Sequence, residues 1–175
     1  VKIEFYIRDD RFFGILMDVT KDMTEKKRIE QERDEDFLTG LHNRRGYFAR
    51  LNEIFSKPGD LRYAAFIMID TDDLKHVNDH YGHDAGDRYL CGMAEILHSC
   101  TAPNQLAARL SGDEFSMFIY GCESHEELQR YINEVEQKQS GYDVRFSKKI
   151  TLSVKFSMGS AFYMIDGEEY SSLFK

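Results

Sequence analysis

Asp70-Thr71-Asp72-Asp73-Leu74-Lys75 follows directly on a wholly apolar run, residues 63–69 (YAAFIMI). A short apolar run of this kind predicts a strand buried on both faces. Asp70 is then expected just past its C-terminal end, where α/β proteins usually bind ligands. A second acidic pair lies in Ser111-Gly112-Asp113-Glu114, between the apolar runs 106–110 and 115–120. That pattern predicts a hairpin with a four-residue turn. Adjacent carboxylates at a tight turn repel one another unless a cation lies between them. With the Asp70 strand beside this hairpin, Asp70 and Asp113 would face each other, and two carboxylates plus substrate phosphates commonly hold Mg²⁺. A plainer alternative assigns Asp70 and Asp72 to capping the following helix, and the Asp113 turn to solvent.

Between the two acidic sites, residues 73–87 (DLKHVNDHYGHDAGD) carry groups suited to recognition. Lys75 and Asn78 are three apart and share a helix face, where Lys75 can meet a phosphate as a point charge. Asn78 offers a donor and acceptors, and Asp87 is acceptor-only when ionised. Guanine presents N1–H and N2–H donors on one edge and O6 and N7 acceptors on another, so an Asp with an Asn suits it. Adenine would leave that Asp unpaired at large cost. Gly82 and Gly86 are expected to bracket a turn that returns Asp87 toward Asn78. The alternative makes Asn78, Asp79 and Asp87 ordinary helix-end residues.

The elements that must position these groups follow from the same pattern. Residues 3–20 predict a hairpin or two edge strands around the turn-like segment 8–11. Residues 21–36 are charged nearly throughout, without Gly or Pro, and predict a solvated helix: a linker, or a coiled-coil seam lacking a clean heptad. A turn at 36–45 (DFLTGLHNRR) interrupts it. A helix through Tyr47, Phe48, Leu51, Ile54 and Phe55 follows, stopped by Pro58-Gly59. Leu90, Met93, Ala94 and Leu97 line a further helix, residues 126–137 are amphipathic, 150–165 are β-rich, and 168–175 begin a last helix. The order strand, helix, hairpin, helix, strand describes an α/β (α+β) sandwich around a mixed sheet. The 175 residues suit one domain with a flanking piece. The formal charge of −8 argues against non-specific nucleic-acid binding. No apolar run approaches the ~20 residues of a membrane-spanning helix. Cys91, Cys100 and Cys122 lack metal-type spacing and predict reduced thiols in a cytoplasmic setting.

Together, DFLTGLHNRRGYF, IDTDDLKHVNDHYGHDAGDRYL, RLSGDEFSMFIYG and SMGSAFY resemble, in order and spacing, the GGDEF family of diguanylate cyclases. The resemblance covers residues 36–175. It implies a central, mostly antiparallel sheet flanked by helices, like nucleotidyl cyclases and polymerase palms. Residues 1–20 are similar to the closing strands of a PAS-type sensor domain and 21–35 to its outgoing signalling helix. By position, the family's metal site falls on Asp70, the Thr71 carbonyl and Asp113, with Mg²⁺ or Mn²⁺ implied. Glu114 falls where an acidic residue helps deprotonate the attacking 3′-hydroxyl. Asn78 and Asp87 fall on the guanine pair, and Lys75 with the backbone around Asp73 and Leu74 on the phosphate contacts. Ser111 and Gly112 occupy the signature turn. The implied reaction condenses two GTP into cyclic di-GMP and two pyrophosphates across a homodimer, each chain holding one GTP.

Three departures stand out. The signature's first Gly is Ser111, where a hydroxymethyl group crowds the nucleotide or hydrogen-bonds to it. The family's inhibitory product-binding motif would fall on Ala102 and Gln105, so that feedback site is expected to be missing. The family's last helix is expected to be cut short at 171–175, with loss of basic phosphate contacts. A catalytically degenerate module that binds GTP and acts in regulation is the alternative these departures raise.

Overall fold

The computed structural model describes residues 2–8, 11–17, 33–100, 102–138, 143–145, 150–168 and 170–173. The chain divides into two compact units, Val1–Arg33 and Asp34–Lys175. The first unit forms the expected hairpin. Strand β1 (Lys2–Arg8) pairs antiparallel with β2 (Arg11–Met17), from Lys2 opposite Met17 to Arg8 opposite Arg11. The linker helix expected at 21–35 lies almost wholly outside the described residues.

The second unit is built on a five-stranded sheet in the order β3-β5-β6-β4-β9. Its strands are β3 (His42–Asn43), β4 (Tyr63–Thr71), β5 (Asn104–Ser111), β6 (Glu114–Cys122) and β9 (Phe156–Phe162). All neighbours are antiparallel except the short β3–β5 pair. Among the described residues the α-helices of the unit are α1 (Arg44–Phe55), α2 (Leu74–Tyr81), α3 (His83–His98), α4 (His125–Lys138) and the short α5 (Tyr170–Leu173). Strands β7 (Asp143–Arg145) and β8 (Thr151–Ser153) form a separate small hairpin, so the β-rich stretch 150–165 serves two sheets.

The apolar run of β4 is explained by cover on both faces. Ala65, Ile67 and Ile69 pack with Met93, Leu97, Ile132 and Val135 of α3 and α4. Ala64 and Phe66 pack with Tyr47 and Leu51 of α1 on the other face. Each of these large side chains contributes about 1.5–3 kcal/mol by leaving water, which anchors β4 on both faces. Alternation appears only toward the strand's C-terminal end, where Ile69 is buried, Asp70 exposed and Thr71 buried again.

Helix α1 begins three residues earlier than its apolar spacing indicates, because Asn43 caps it: Asn43 Oδ1 accepts from the Gly46 amide at 2.9 Å. Tyr47 on this helix is fully buried, its hydroxyl 2.9 Å from Ser116 Oγ on β6. Burial pushes the Tyr47 phenol well above its ordinary value. Tyr47→Phe leaves Ser116 without that partner in the core. It is expected to cost about 1–3 kcal/mol in urea denaturation.

Candidate active site

The site is assembled by strand register at one end of the sheet. Ser111 lies opposite Glu114, Glu114 opposite Asp70, and Asp70 opposite Ser157. Residues directly opposed in a sheet share a face. Register therefore lays four oxygen-bearing side chains in a row across β5, β6, β4 and β9. The turn between β5 and β6 is shorter than its sequence indicates. Ser111 and Glu114 still pair, so only Gly112 and Asp113 form the loop, and Gly112 takes a φ of +39°. The Thr71 amide donates to the Asp113 carbonyl at 3.0 Å, which fixes this turn against the end of β4. Asp70 and Asp113 are thereby brought together, as the two acidic segments predict.

The electrostatics of this corner are unfavourable without a cation. The Asp70 carboxyl is pushed above its usual value, first by burial and then by the charges of Asp113, Asp72 and Glu114. Neither Asp70 nor Asp72 caps the next helix. Asp73 occupies the N-cap of α2, in a left-handed conformation (φ +62°), and its side chain makes no cap bond. Asp72 is tied to the start of β9 and the residue before it instead: its amide donates to the Lys155 carbonyl at 2.9 Å and its carboxylate accepts from Ser157 Oγ at 3.0 Å. The first-turn amides of α2, including that of Leu74, keep no intrahelical acceptor and give this end of the helix a partial positive charge. Lys75 stands exposed on the same turn and has no ion-pair partner among the described residues.

The donors at this corner are oxygens, the chemistry that suits Mg²⁺ or Mn²⁺. Among the described residues, no three His, Cys, Asp or Glu side chains converge on a metal position. An ion held by Asp70 and Asp113 would complete its shell with phosphate oxygens and water. Thr71 points the other way. It is 1% exposed and its hydroxyl has no hydrogen-bond partner among the described residues, which leaves only its backbone for the acidic corner.

Asn78 and Asp87 are brought close by an arrangement different from the expected turn. Gly82 does make the break between α2 and α3, with φ +85°, but Gly86 lies inside α3 and is buried. A Cβ at Gly86 would collide with Asn78 Oδ1. The missing side chain lets Asn78 lie against the α3 backbone, one residue from exposed Asp87. Gly86 therefore serves close approach rather than chain reversal.

Two residues of the corner carry no signal in their local sequence. Arg109 on β5 donates from Nε and Nη2 to the Gly112 carbonyl, at 2.9 and 2.7 Å, and from Nη1 to Asp36 Oδ1 at 3.4 Å. Asp36 also accepts from the Thr39 amide and hydroxyl, closing the 36–41 turn at the entrance to the unit. Burial alone would raise the Asp36 carboxyl. The Thr39 bonds and the Arg109 charge outweigh it and hold Asp36 below the usual value. A lowered folded-state value contributes stability above the unfolded value, near 3.9, that is lost as pH falls through the folded one. Asp36→Asn is thus expected to destabilise the unit by about 1–2 kcal/mol at pH 7. The gap to the parent chain should close as pH falls through the lowered folded-state value, followed by denaturant midpoints.

A mixed sheet with helices on both faces and an acidic strand end beside an acidic hairpin defines the class of domain. The family model for "Diguanylate cyclase, GGDEF domain" matches residues 33–175, and the chain belongs to the GGDEF family. It is 35% identical over 115 residues to the diguanylate cyclase DgcM of Escherichia coli K12, covering 60% of this chain and 27% of that protein. It is 32% identical over 154 residues to the cyclic di-GMP phosphodiesterase PdeB of Shewanella oneidensis, covering 86% and 17%. The chain thus spans well under two thirds of the length of these relatives. Among solved structures, a sensory box/GGDEF family protein from Caulobacter crescentus superposes with a TM-score of 0.71 at 31% identity, over 81% of this chain and 90% of that one. DgcB of Caulobacter crescentus, solved in complex with c-di-GMP, shares the fold at a TM-score of 0.76 and 23% identity, over 89% and 82%. Among the described residues no helix is long and apolar enough to cross a membrane.

Proposed function

We propose that this chain is a diguanylate cyclase domain that condenses two GTP into cyclic di-GMP with release of two pyrophosphates. The observation that carries the reading is the register that sets Asp70 opposite Glu114, with the Asp113 turn bonded to the Thr71 amide. Asp70, the Thr71 backbone carbonyl and Asp113 would hold Mg²⁺, which when bound offsets the charge on the triphosphate and orients it. Lys75 and the backbone amides of Asp73, at the N-cap of α2, and Leu74, in its first turn, receive phosphate oxygens. Asn78 and Asp87 take the guanine edge. Glu114 accepts the proton of the 3′-hydroxyl that attacks the other nucleotide's α-phosphate. One chain supplies one GTP site, so turnover requires two chains face to face. The β1–β2 hairpin and the segment after it fit the end of a sensor domain and a signalling helix that sets how often the two sites meet.

The test is incubation with GTP and Mg²⁺, with nucleotide products separated by chromatography. Cyclic di-GMP with two pyrophosphates per product is expected, and GTP binding without any cyclic product would overturn the cyclase reading. That outcome would favour a GTP-binding regulatory module. This second reading has support in the Ser111 hydroxyl beside Glu114 and in the similarity to PdeB.

A further inference from the structure

The bond that ties Ser111 to Glu114 bears on how this site takes up metal. Ser111 Oγ donates to Glu114 Oε2 at 2.6 Å, the usual length of a charge-assisted hydroxyl–carboxylate bond. The two residues are register partners flanking the Gly112–Asp113 loop, so the bond closes the base of the hairpin. On its other side, Glu114 lies opposite Asp70. Glu114 thus stands between a neutral donor on β5 and a charged carboxylate on β4. Repulsion from Asp70 and attraction to the hydroxyl act in the same direction, drawing Glu114 toward β5. A cation between the strands would reverse that preference, because it attracts both carboxylates.

We infer that Ser111 is a positioning residue that latches Glu114 on the β5 side and weakens divalent-metal uptake at the Asp70–Asp113 corner. The latch rests on the proposed metal-dependent cyclase reading and deepens it: a cation held by Asp70 and Asp113 would also attract the Glu114 carboxylate opposite Asp70, so cation and hydroxyl pull that carboxylate in opposite directions. Release of the latch costs one charge-assisted hydrogen bond in a solvent-exposed setting, where water partly replaces it. The expected penalty is about 3- to 10-fold in metal affinity. The domain is then tuned to need a higher divalent-ion concentration, or a well-formed nucleotide complex, before Glu114 turns inward. A glycine at this position cannot form the latch, so the substitution at the first signature position would change metal demand rather than merely crowd the nucleotide.

The experiment measures Mn²⁺ binding by electron paramagnetic resonance on the full protein, with a non-cyclising GTP analogue present, so that no turnover is needed. Ser111→Ala is expected to tighten the Mn²⁺ dissociation constant by about 3- to 10-fold, while Ser111→Thr, which keeps the hydroxyl, stays close to the parent. In turnover assays Ser111→Ala is expected to lower the half-saturating Mg²⁺ concentration by a similar factor. Equal Mn²⁺ affinities in the parent and Ser111→Ala, with both binding the analogue, would overturn the latch and leave the cyclase reading standing. Loss of analogue and metal binding in the parent itself would overturn both. A change in Ser111→Thr as large as in Ser111→Ala would assign the effect to side-chain volume and also overturn the latch.

Discussion

Asp70→Asn and Asp113→Asn are each expected to lower cyclic di-GMP formation by about 10²–10³-fold or more, with the domain still folded. The two carboxylates sit at the ends of different elements, and the Asp113 backbone is fixed to Thr71 independently of its side chain. Removing either charge therefore spares the turn. The stability readout runs opposite to activity for Asp70. Its carboxyl is raised in the folded state by burial and by Asp113, Asp72 and Glu114. The stability this group confers is therefore present at low pH and lost as pH rises through its folded-state value. At pH 7 the metal-free Asp70→Asn protein is expected to melt no lower than the parent, and slightly higher if anything. Mg²⁺ with a GTP analogue should raise the melting temperature of the parent and not that of the variant. Parent-like turnover in either variant would remove that residue from the metal site, and a collapsed melting temperature would mark it as structural.

The second large effect concerns base recognition. Gly86→Ala is expected to raise the KM for GTP by at least about 10-fold, although alanine is the better helix former. The added methyl group has to displace the Asn78 amide from its place against α3. A cycle with Asn78→Ala tests this, since Gly86→Ala should add little once the amide is gone. Full additivity would show that Gly86 acts by some route other than Asn78. Asp87→Asn exchanges an acceptor pair for an amide and is expected to reduce discrimination of GTP over ATP by about 10²-fold. An unchanged GTP/ATP ratio would remove Asp87 from the guanine site.

Much of this arrangement is legible in the sequence, for identifiable reasons. The run at 63–69 is too short and too uniformly apolar for an amphipathic helix and reads as a strand with cover on both faces, and the Asp at its end follows from chain order. The two apolar runs around Gly112-Asp113 can only pair as a hairpin. What escapes is set by contacts distant in sequence. Gly86 looks like a chain breaker because glycine usually is one, and its role is visible only when α2 packs against α3. Arg109 and Asp36 are 73 residues apart, and nothing local to either announces the guanidinium that joins them. The placement of Ser157 beside Asp70 depends on the register of β9 against β4, which alternation alone leaves open to a slip. The loop length at the signature turn was overestimated because Ser111 and Glu114, though polar, remain paired.

The alternation at the end of β4 has a consequence for how faithfully this protein folds. Ile69, Asp70 and Thr71 face opposite sides in turn, and β4 is hydrogen-bonded along both edges. A one-residue slip against either neighbour would drive the Asp70 carboxylate into the apolar layer and lift Ile69 into water. An unpaired buried carboxylate is costly enough to make that alternative unstable. The same charge that strains the finished corner thus acts as a proofreader while the sheet is assembling.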